Sequence, residues 1–594
     1  MPHLEPFRML VLGDFGGAPD AAAPRTLDKD DIAEFLKSCA EELSVEVPNR
    51  LADEPARLEV RLRVSALEDF TPAGLARQLP FLASGLRLRD RLKDLARGEI
   101  TLAALEAEAA GTAGGGAFAE ALRLCREAHA PGSGPGATPK RASAEPRAAP
   151  GGPRDDAIDR ILGIVSGASD PEADARAERA LERFVSEATA GNRRRRAPAG
   201  VARAIALSER VLGAQIDEIL HHPLVQEREA LWRGLTFLVR RADFRAGIAV
   251  EVLNAPRDRV LDVLREHVLV AEAEGVSDAP IALLVAAFEI VNRPADLDWL
   301  QALGEAGERL QAPVLVAAGP GFFGLDSGAA AGELPYVGGL LGQPQFAKWR
   351  ALRDKEASRW LCIAFNRFLL RPPHGAERRR SLGLSESVDR HEDYLWGDPV
   401  WAVASLIAAS VARCGWPTEM TGAVDGRIEG LDLYAADRGP GRPMQIPLAA
   451  AIPDRLAEDL AEAGITALTC RPERDSAYVM RAPTLHRPEV YGDTRATAAS
   501  RAMARLPYQL LAARIAAKVA RNRASLTAGK GPEEIGWALE RFLWELVAGT
   551  GAGAAVEVGV ARDAARAGRP VAEIRLRTGA AVLNGAEVAL TFPV

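Results

Sequence analysis

From Ile216 to Leu238 apolar residues recur at spacings of three, four and seven: Ile216, Ile219, Leu220, Leu224, Leu231, Leu235 and Leu238. This is the pattern of an amphipathic helix. Pro223 interrupts it, and a proline inside a helix loses a backbone hydrogen bond and clashes with the preceding turn, so two helices are predicted. From Gly247 to Leu253 the period falls to two, with Ile248, Val250 and Val252 on one side, which predicts a strand. The stretch therefore reads helix, helix, strand, and the rest of the chain is organised around it.

Upstream, Phe7–Leu12 is an apolar run closed by GDFGG and reads as a buried strand. The spacing of Ile32, Phe35, Leu36, Ala40 and Leu43 predicts a helix over Asp28–Leu43, followed by strands at Ser44–Asn49 and Leu58–Val64. Asp69 or Thr71 caps a further helix with Pro72 in its first turn and Leu75, Leu79, Leu82, Leu86 and Leu92 along one face. Amphipathic helices follow at Asp155–Val165, with Ile158, Ile161, Leu162 and Val165 on one face, and at Asp174–Glu187. Further on, Val260–Ala271 and Leu297–Leu310 read as helices, and Ile281–Phe288 and Pro313–Ala318 as strands apolar throughout. Strand, helix, strand with both strands apolar predicts a parallel sheet covered by helices. The tail from Ala555 is strand-rich, with Asn584–Gly585 as a two-residue hairpin signal and Val571, Ile574 and Leu576 set against Val588, Leu590 and Phe592. A terminal hairpin with an open edge invites pairing with another chain. The fold class is α/β (mixed α+β): a small α+β domain, then a helix-covered mixed sheet and a C-terminal β-hairpin.

Composition and charge change this picture. At 594 residues the chain exceeds a single core, so two to four domains are expected. Residues 131–153 are dominated by glycine, proline, serine and alanine and read as a linker spanning about 25 Å on average. A net charge of −7 argues against nucleic acid as the main partner. The five cysteines have no CxxC spacing, which fits a reducing compartment and provides neither a disulfide framework nor a zinc knuckle. No apolar run reaches the roughly 18 residues of a membrane span. The acidic start is unlike a signal peptide, so a cytoplasmic protein is expected. Arg193–Arg196 reads as a solvated charge run, with an acidic partner surface as the alternative.

Candidate chemistry is sparse. The glycine-rich stretches at 13–17 and 319–324 invite a phosphate-loop reading, the basis of the alternative that the chain is a nucleotide-binding protein or enzyme. Neither ends in GK[ST], and Pro320 removes an amide donor from the second. Adjacent histidines on a helix do not face one point, so His221–His222 is read as capping or packing rather than metal binding. Arg353, Glu356, Arg367 and Arg371 with Glu392 and Asp393 would form a charged cluster if they met, the usual use of arginine–carboxylate pairs at packed surfaces. Tyr394, Trp396, Trp401 and Trp416 are read as packing or anchoring residues. No spacing supports a nucleophile–base pair. No catalytic residue, cofactor or metal is therefore assigned.

The residues DEILHHP at 217–223, the run from Glu229 through Trp232, Arg233 and Gly234 to Val239, and the Leu253–Asn254 strand end resemble the opening of the large (TssC/VipB-type) sheath subunit of the type VI secretion system. Five further blocks follow in family order: Lys348–Gly375, Glu392–Trp416, Thr421–Leu431, Ile452–Cys470 and Leu506–Leu526. A second resemblance, to the small (TssB/VipA-type) subunit, rests on Pro6, Phe7, Leu12, Gly13, Asp14, Phe15 and Gly17, then Glu68, Asp69, Phe70, Pro72, Pro80, Leu88 and Arg89. The small subunit usually carries a further strand before its Pro-Phe pair, where here five residues precede Pro6. The resemblance implies both subunits fused: 1–130 small-subunit-like, 131–154 linker, 155–200 leading helices, 201–594 large-subunit-like. It implies a non-enzymatic, self-assembling contractile sheath that propels an inner tube, seated on a baseplate and recycled by an AAA+ unfoldase of the ClpV type, with no nucleic acid and no membrane insertion. It makes Ile158, Ile161, Leu162 and Val165 the unfoldase handle and gives Val571, Ile574, Leu576, Val588, Leu590 and Phe592 to strands shared between protomers. A diverged, non-contracting scaffold is the remaining alternative.

Overall fold

A computed structural model describes residues 5–17, 23–109, 116–129, 199–275, 277, 279–375, 384–436, 443–547, 555–563, 569–577 and 587–593. The predicted faces of 158–165 and 174–187 and the linker lie outside these. The first eight strands are β1 (Phe7–Gly13), β2 (Arg25–Leu27), β3 (Glu41–Pro48), β4 (Arg57–Val64), β5 (Ile248–Asn254), β6 (Ile281–Ile290), β7 (Val314–Ala318) and β8 (Leu361–Phe365). Then come β9 (Phe368–Leu369), β10 (Trp396–Gly397), β11 (Arg427–Ile428), β12 (Tyr434–Ala436), β13 (Met444–Ile446), β14 (Ile465–Cys470) and β15 (Ala477–Val479). The tail supplies β16 (Ala555–Asp563), β17 (Arg569–Arg577) and β18 (Glu587–Pro593).

The chain divides into two compact units that do not follow chain order: 1–47, 59–78 and 216–594 form one, and 48–58 with 79–215 form the other. The core of the first is a nine-stranded sheet in the order β11-β15-β14-β8-β7-β6-β1-β5-β2. From β14 to β5 every neighbouring pair is parallel. The strand nearest the N-terminus is thus interior. Its edges pair with β5, Phe7 opposite Ile248 through Gly13 opposite Asn254, and with β6, Met9 opposite Leu283. Met9, Leu10, Val11 and Leu12 are fully buried, as a strand covered on both faces requires. The charge in this strand, Arg8, is neutralised by Glu251 at 2.7 Å and Glu272 at 2.7 Å.

Helix Pro294–Leu310 packs one sheet face through Leu297, Leu300 and Leu303, in one apolar cluster with Leu10, Leu12, Leu253 and Leu284. On the other face, helices Pro223–Arg241 and Pro399–Cys414 cross closely. The crossing needs Gly234, where a Cβ would stand 2.1 Å from Nε1 of Trp401. Both helices begin with proline at the first turn, where its missing amide costs nothing. Pro223 does separate two helices, and the His222 ring accepts the Leu224 amide at 3.3 Å to cap the second.

Two predicted elements differ. The helix expected over Asp28–Leu43 is confined to Ile32–Ser38, because Glu41–Pro48 alternates with Val45 and Val47 inward and pairs as β3 with β4. The helix expected over Val260–Ala271 contains a π-helical segment at Leu264–Leu269. Asn584–Gly585 lies outside the described residues; on either side of it β17 and β18 pair antiparallel, Arg577 with Glu587 and Ile574 with Leu590. The register follows the buried face, where Ala572, Ile574, Leu576 and Val588 pack with Tyr508, Leu511, Ile515, Ile535, Leu539 and Leu543.

The second unit is helical. Its helices Pro80–Arg97 and Gly116–His129 and the residues up to 215 of helix Ala199–Leu220 bury Leu82, Leu92, Phe118, Cys125, Val201 and Leu212. Gly85 permits the approach, since a Cβ there would lie 2.6 Å from both Leu212 and Phe118.

Because β1 is hydrogen-bonded along both edges, a protease site placed within residues 131–153 and cut should leave the fragments associated. Gel filtration without denaturant checks this: one peak holding both fragments is expected, and separation would contradict it.

Candidate functional site

The two glycine-rich loops meet a crevice of about 750 Å³ beyond the carboxyl ends of the parallel strands, lined among others by Asp14, Arg228, Glu289, Pro320, Arg367 and Asp398. Open α/β sheets bind ligands in this position. Here the loop groups already have partners. The Phe15 amide donates to Asn254 Oδ1 at 2.8 Å, Asn254 Nδ2 donates to the Gly16 carbonyl at 2.8 Å, and Trp232 Nε1 donates to the Phe15 carbonyl at 2.9 Å. In the second loop the amides of Gly319, Phe322, Gly324 and Leu325 donate to backbone carbonyls. A phosphate cradle needs such amides free. Gly319 is required for a different reason: a Cβ there would lie 1.9 Å from Glu289, which is ion-paired with Arg367. Arg228 binds Glu41 at 2.5 Å. Burial, reinforced by the nearby Glu289 carboxylate, pushes Asp398 up to about 6.

The charged residues singled out in sequence do not form one cluster. Arg353 donates to the carbonyls of Leu485 and Glu462, both at 3.0 Å, and Glu356 pairs with Arg359 at 2.6 Å. Arg371 instead centres a buried network. It binds Glu229 at 2.8 Å and Glu386 at 2.7 Å, and Arg233 also binds Glu229 at 2.7 Å. His221 joins Glu386, 3.1 Å from Nε2, to Asp393, 3.7 Å from Nδ1, and Arg390 closes on Asp393 at 2.7 Å. The Glu229 side chain is 0% exposed, Glu386 2% and Arg371 8%, so these charges depend on each other rather than on water.

The electrostatics follow from the geometry. Burial alone would raise Glu386, but the His221 hydrogen bond and Arg371 hold it down at about 2. Burial opposes the charge on His221, and the carboxylates of Glu386, Asp393 and Asp217 outweigh it and raise its pKa. His374, buried and beside Arg371, is lowered to about 4. The network ties the histidine-bearing helix end to the Arg371–Asp393 segment. Sequence reasoning missed Glu229 and Glu386. The available signal was Arg371 within the apolar run FLLRPP, a position that demands a buried carboxylate. Trp401 and Trp416 are buried, and His391, Tyr394, Trp396 and Tyr434 form an aromatic cluster in which His391 stacks on Trp396 at 4.6 Å.

The tail residues assigned to shared strands take a narrower position than expected. β17 lies between β16 and β18 within the same chain, so Val571, Ile574 and Leu576 are on a strand with no open edge. Ala555–Val560 is β17's other partner within the chain. Ile574, Leu576, Val588 and Leu590 face the chain's own helices, and Phe592 pairs with Ala572. The edges left for another chain are those of β16 and β18. The handle residues Ile158, Ile161, Leu162 and Val165 lie outside the described residues.

Residues 202–486 match the family described as EvpB/VC_A0108, tail sheath N-terminal domain, and residues 4–108 match the family described as Type VI secretion system, VipA, VC_A0107 or Hcp2. These two matches define a tail-sheath protein. The chain belongs to the type VI secretion sheath family, with the small- and large-subunit parts joined in one polypeptide. It is similar to the type VI secretion system sheath protein TssC1 of Pseudomonas aeruginosa strain PAO1, 29% identical over 332 residues, 52% of this chain. That match spans 66% of the relative, just under two thirds of its length. Among solved structures, the contracted helical sheath of the anti-feeding prophage is similar at TM-score 0.31 and 11% identity, covering 58% of this chain and 77% of the other. The sheath tail protein Lin1278 of Listeria innocua is similar at TM-score 0.28 and 13% identity, covering 55% and 57%. Likeness this loose carries no argument about individual elements. Among the described residues no helix is long and apolar enough to cross a membrane.

The ion network sets a pH dependence. Glu386 is held at about 2 in the folded chain against an ordinary 4.5, so its contribution to stability is present above pH 4.5 and is lost as pH falls toward 2. His221, raised in the folded chain, acts oppositely: its contribution is full below its ordinary 6.5 and is lost as pH rises through the folded value. Glu386→Gln should destabilise the chain near neutral pH by about 3 kcal/mol, the scale for breaking a buried pair. It should also flatten the fall in thermal midpoint between pH 4.5 and 2. A variant whose midpoint tracks wild type across that range would refute the role given to Glu386.

Proposed function

We propose that the chain is a structural, non-catalytic protomer that polymerises into the sheath of a type VI-like contractile apparatus in the cytoplasm. Stacked protomers are held extended, then shorten cooperatively into a lower-energy lattice and drive an inner tube outward from a baseplate. The observation that carries this reading is the joining of both subunit families in one chain, with β1 of the small-subunit part built into the sheet of the large-subunit part. The nucleotide-binding alternative is weakened, since the amides of Phe15 and Gly16 in the first glycine-rich loop and of Gly319, Phe322 and Gly324 in the second have partners. In this reading 1–130 is the small-subunit part, 131–154 a spacer, 155–200 the leading helices and 201–594 the large-subunit part.

Protomers are linked through the outer edge of β18. That edge is only partly used: the Ala589 amide donates to Tyr508 Oη at 3.3 Å, and Thr591 is two residues along on the same side. Deleting the tail would not test this, because it would strip Ile574, Leu576 and Val588 from the core. Thr591→Pro removes one outward donor and leaves the β17 ladder intact. The purified wild-type chain should form tubes under the electron microscope, and Thr591→Pro should shorten or abolish them with the thermal midpoint unchanged. Full-length tubes from the variant would reject the edge assignment.

An AAA+ unfoldase recycles the sheath through the face of Ile158, Ile161, Leu162 and Val165. Changing Ile158, Ile161 and Leu162 together to Asp should abolish capture by a ClpV-type unfoldase while tubes still form. Capture equal to wild type would remove the handle.

A further inference from the structure

Helix Pro532–Val547 buries one face through Ile535, Leu539 and Leu543 and turns another outward. On the outward stripe, at the spacing of one helix face, stand Glu533, Trp537, Glu540 and Trp544. Trp537 is 68% exposed and Trp544 43% exposed. Exposed tryptophans a heptad apart are costly to leave in water and mark an interaction surface. Neither glutamate has an ion-pair partner among the described residues; Arg541, beside the stripe, pairs with Glu545 at 3.9 Å.

The same unit carries a groove of complementary chemistry, about 930 Å³, between the Arg353 region and the start of helix Leu506–Thr527. Arg481, Arg487, Arg501 and Arg505 line it and are exposed. Arg487 pairs with Asp354 at 3.3 Å, while Arg481, Arg501 and Arg505 have no carboxylate within ion-pair distance among the described residues. Of the acidic lining residues, Glu419 and Asp425 are neutralised by Arg413, at 3.0 and 2.9 Å, which leaves Glu462 against the four arginines. The apolar rim is provided by Met480 and Val490, 44% and 78% exposed. Crowding of like charges here is visible in Arg505, whose pKa burial lowers with a further push from Arg481.

We infer that the Glu533–Trp537–Glu540–Trp544 face of one copy docks into the Arg481–Arg501–Arg505 groove of a second copy. Carboxylates meet unpaired guanidinium groups, and the indoles supply apolar area and cation–π faces for the remaining arginine charge. The two surfaces differ, so the contact is head to tail, the type that propagates into an open helix rather than closing as a dimer. This inference rests on the sheath reading and specifies one of its contacts.

Charge exchange in the full chain tests it. Glu533→Arg with Glu540→Arg, and separately Arg501→Glu with Arg505→Glu, should each raise the concentration needed for self-association by about tenfold or more. The four changes together should restore it to within about threefold of wild type, because only a contact between copies of this chain is repaired by swapping both sides. Sedimentation velocity reads association and electron microscopy reads tubes, with circular dichroism confirming that each variant is folded. Single reversals without effect, or a combined variant no better than the weaker single one, would overturn the contact. The latter would assign the face to another occupant. Association that responds to the exchange without any tubes would keep the contact and remove the sheath reading; tubes indifferent to both reversals would do the opposite.

Discussion

The first unit depends on the double pairing of β1. A central parallel strand satisfies its backbone groups on both edges and buries both faces, so it cannot be removed without opening the sheet between β5 and β6. More than two hundred residues separate it from its partners in sequence. Joining the two family parts in one chain converts a bimolecular pairing into an intramolecular one, with an effective concentration set by the intervening segment. Arg8, neutralised by Glu251 of β5 and by Glu272, adds directional pairing to this otherwise apolar insertion.

Around that sheet the molecule uses charge where an enzyme would need a reactive group. Glu229, Arg371, Glu386, His221 and Asp393 are arranged so that every buried charge has a counter-charge. Such networks contribute little to net stability compared with apolar packing, yet losing one member is costly. They fix geometry. For the sheath protomer proposed above, a rigid connection between the helices under the sheet and the Arg371–Asp393 segment would be a mechanical requirement. The crevice at the strand ends follows the same rule, with Arg228, Arg367 and their carboxylates occupying what would otherwise be a ligand site.

The outer surfaces behave differently. The tail sheet leaves edges at β16 and β18, and the tryptophan-bearing helix and the arginine groove leave side chains without intramolecular partners. The Arg371 network is paired internally, whereas this helix and groove present charges with no intramolecular ion pair, the division a polymerising subunit would need.

Local pattern alone determined much of this protein. The period of three to four from Ile216 to Leu238, the break at Pro223 and the apolar runs of β1, β6 and β7 made those helices and strands legible, because each reports burial along its own element. The family was legible too, from residues such as Trp232, Gly234 and Arg371, which the structure shows in close packing or paired burial. What the sequence left open was which distant segments meet. Nothing local in FRMLVL says that it lies between residues 248–254 and 281–290. Nothing near Arg371 names Glu229 or Glu386, and nothing in Asp28–Leu43 says that its helix stops at Ser38. The same holds for the tail, where the buried face of Ile574, Leu576 and Val588 fixes the register of β17 against β18. Tertiary structure decided these points because parallel pairing and buried ion pairs draw their energy from contacts made across long sequence separations, which no window of neighbouring residues encodes.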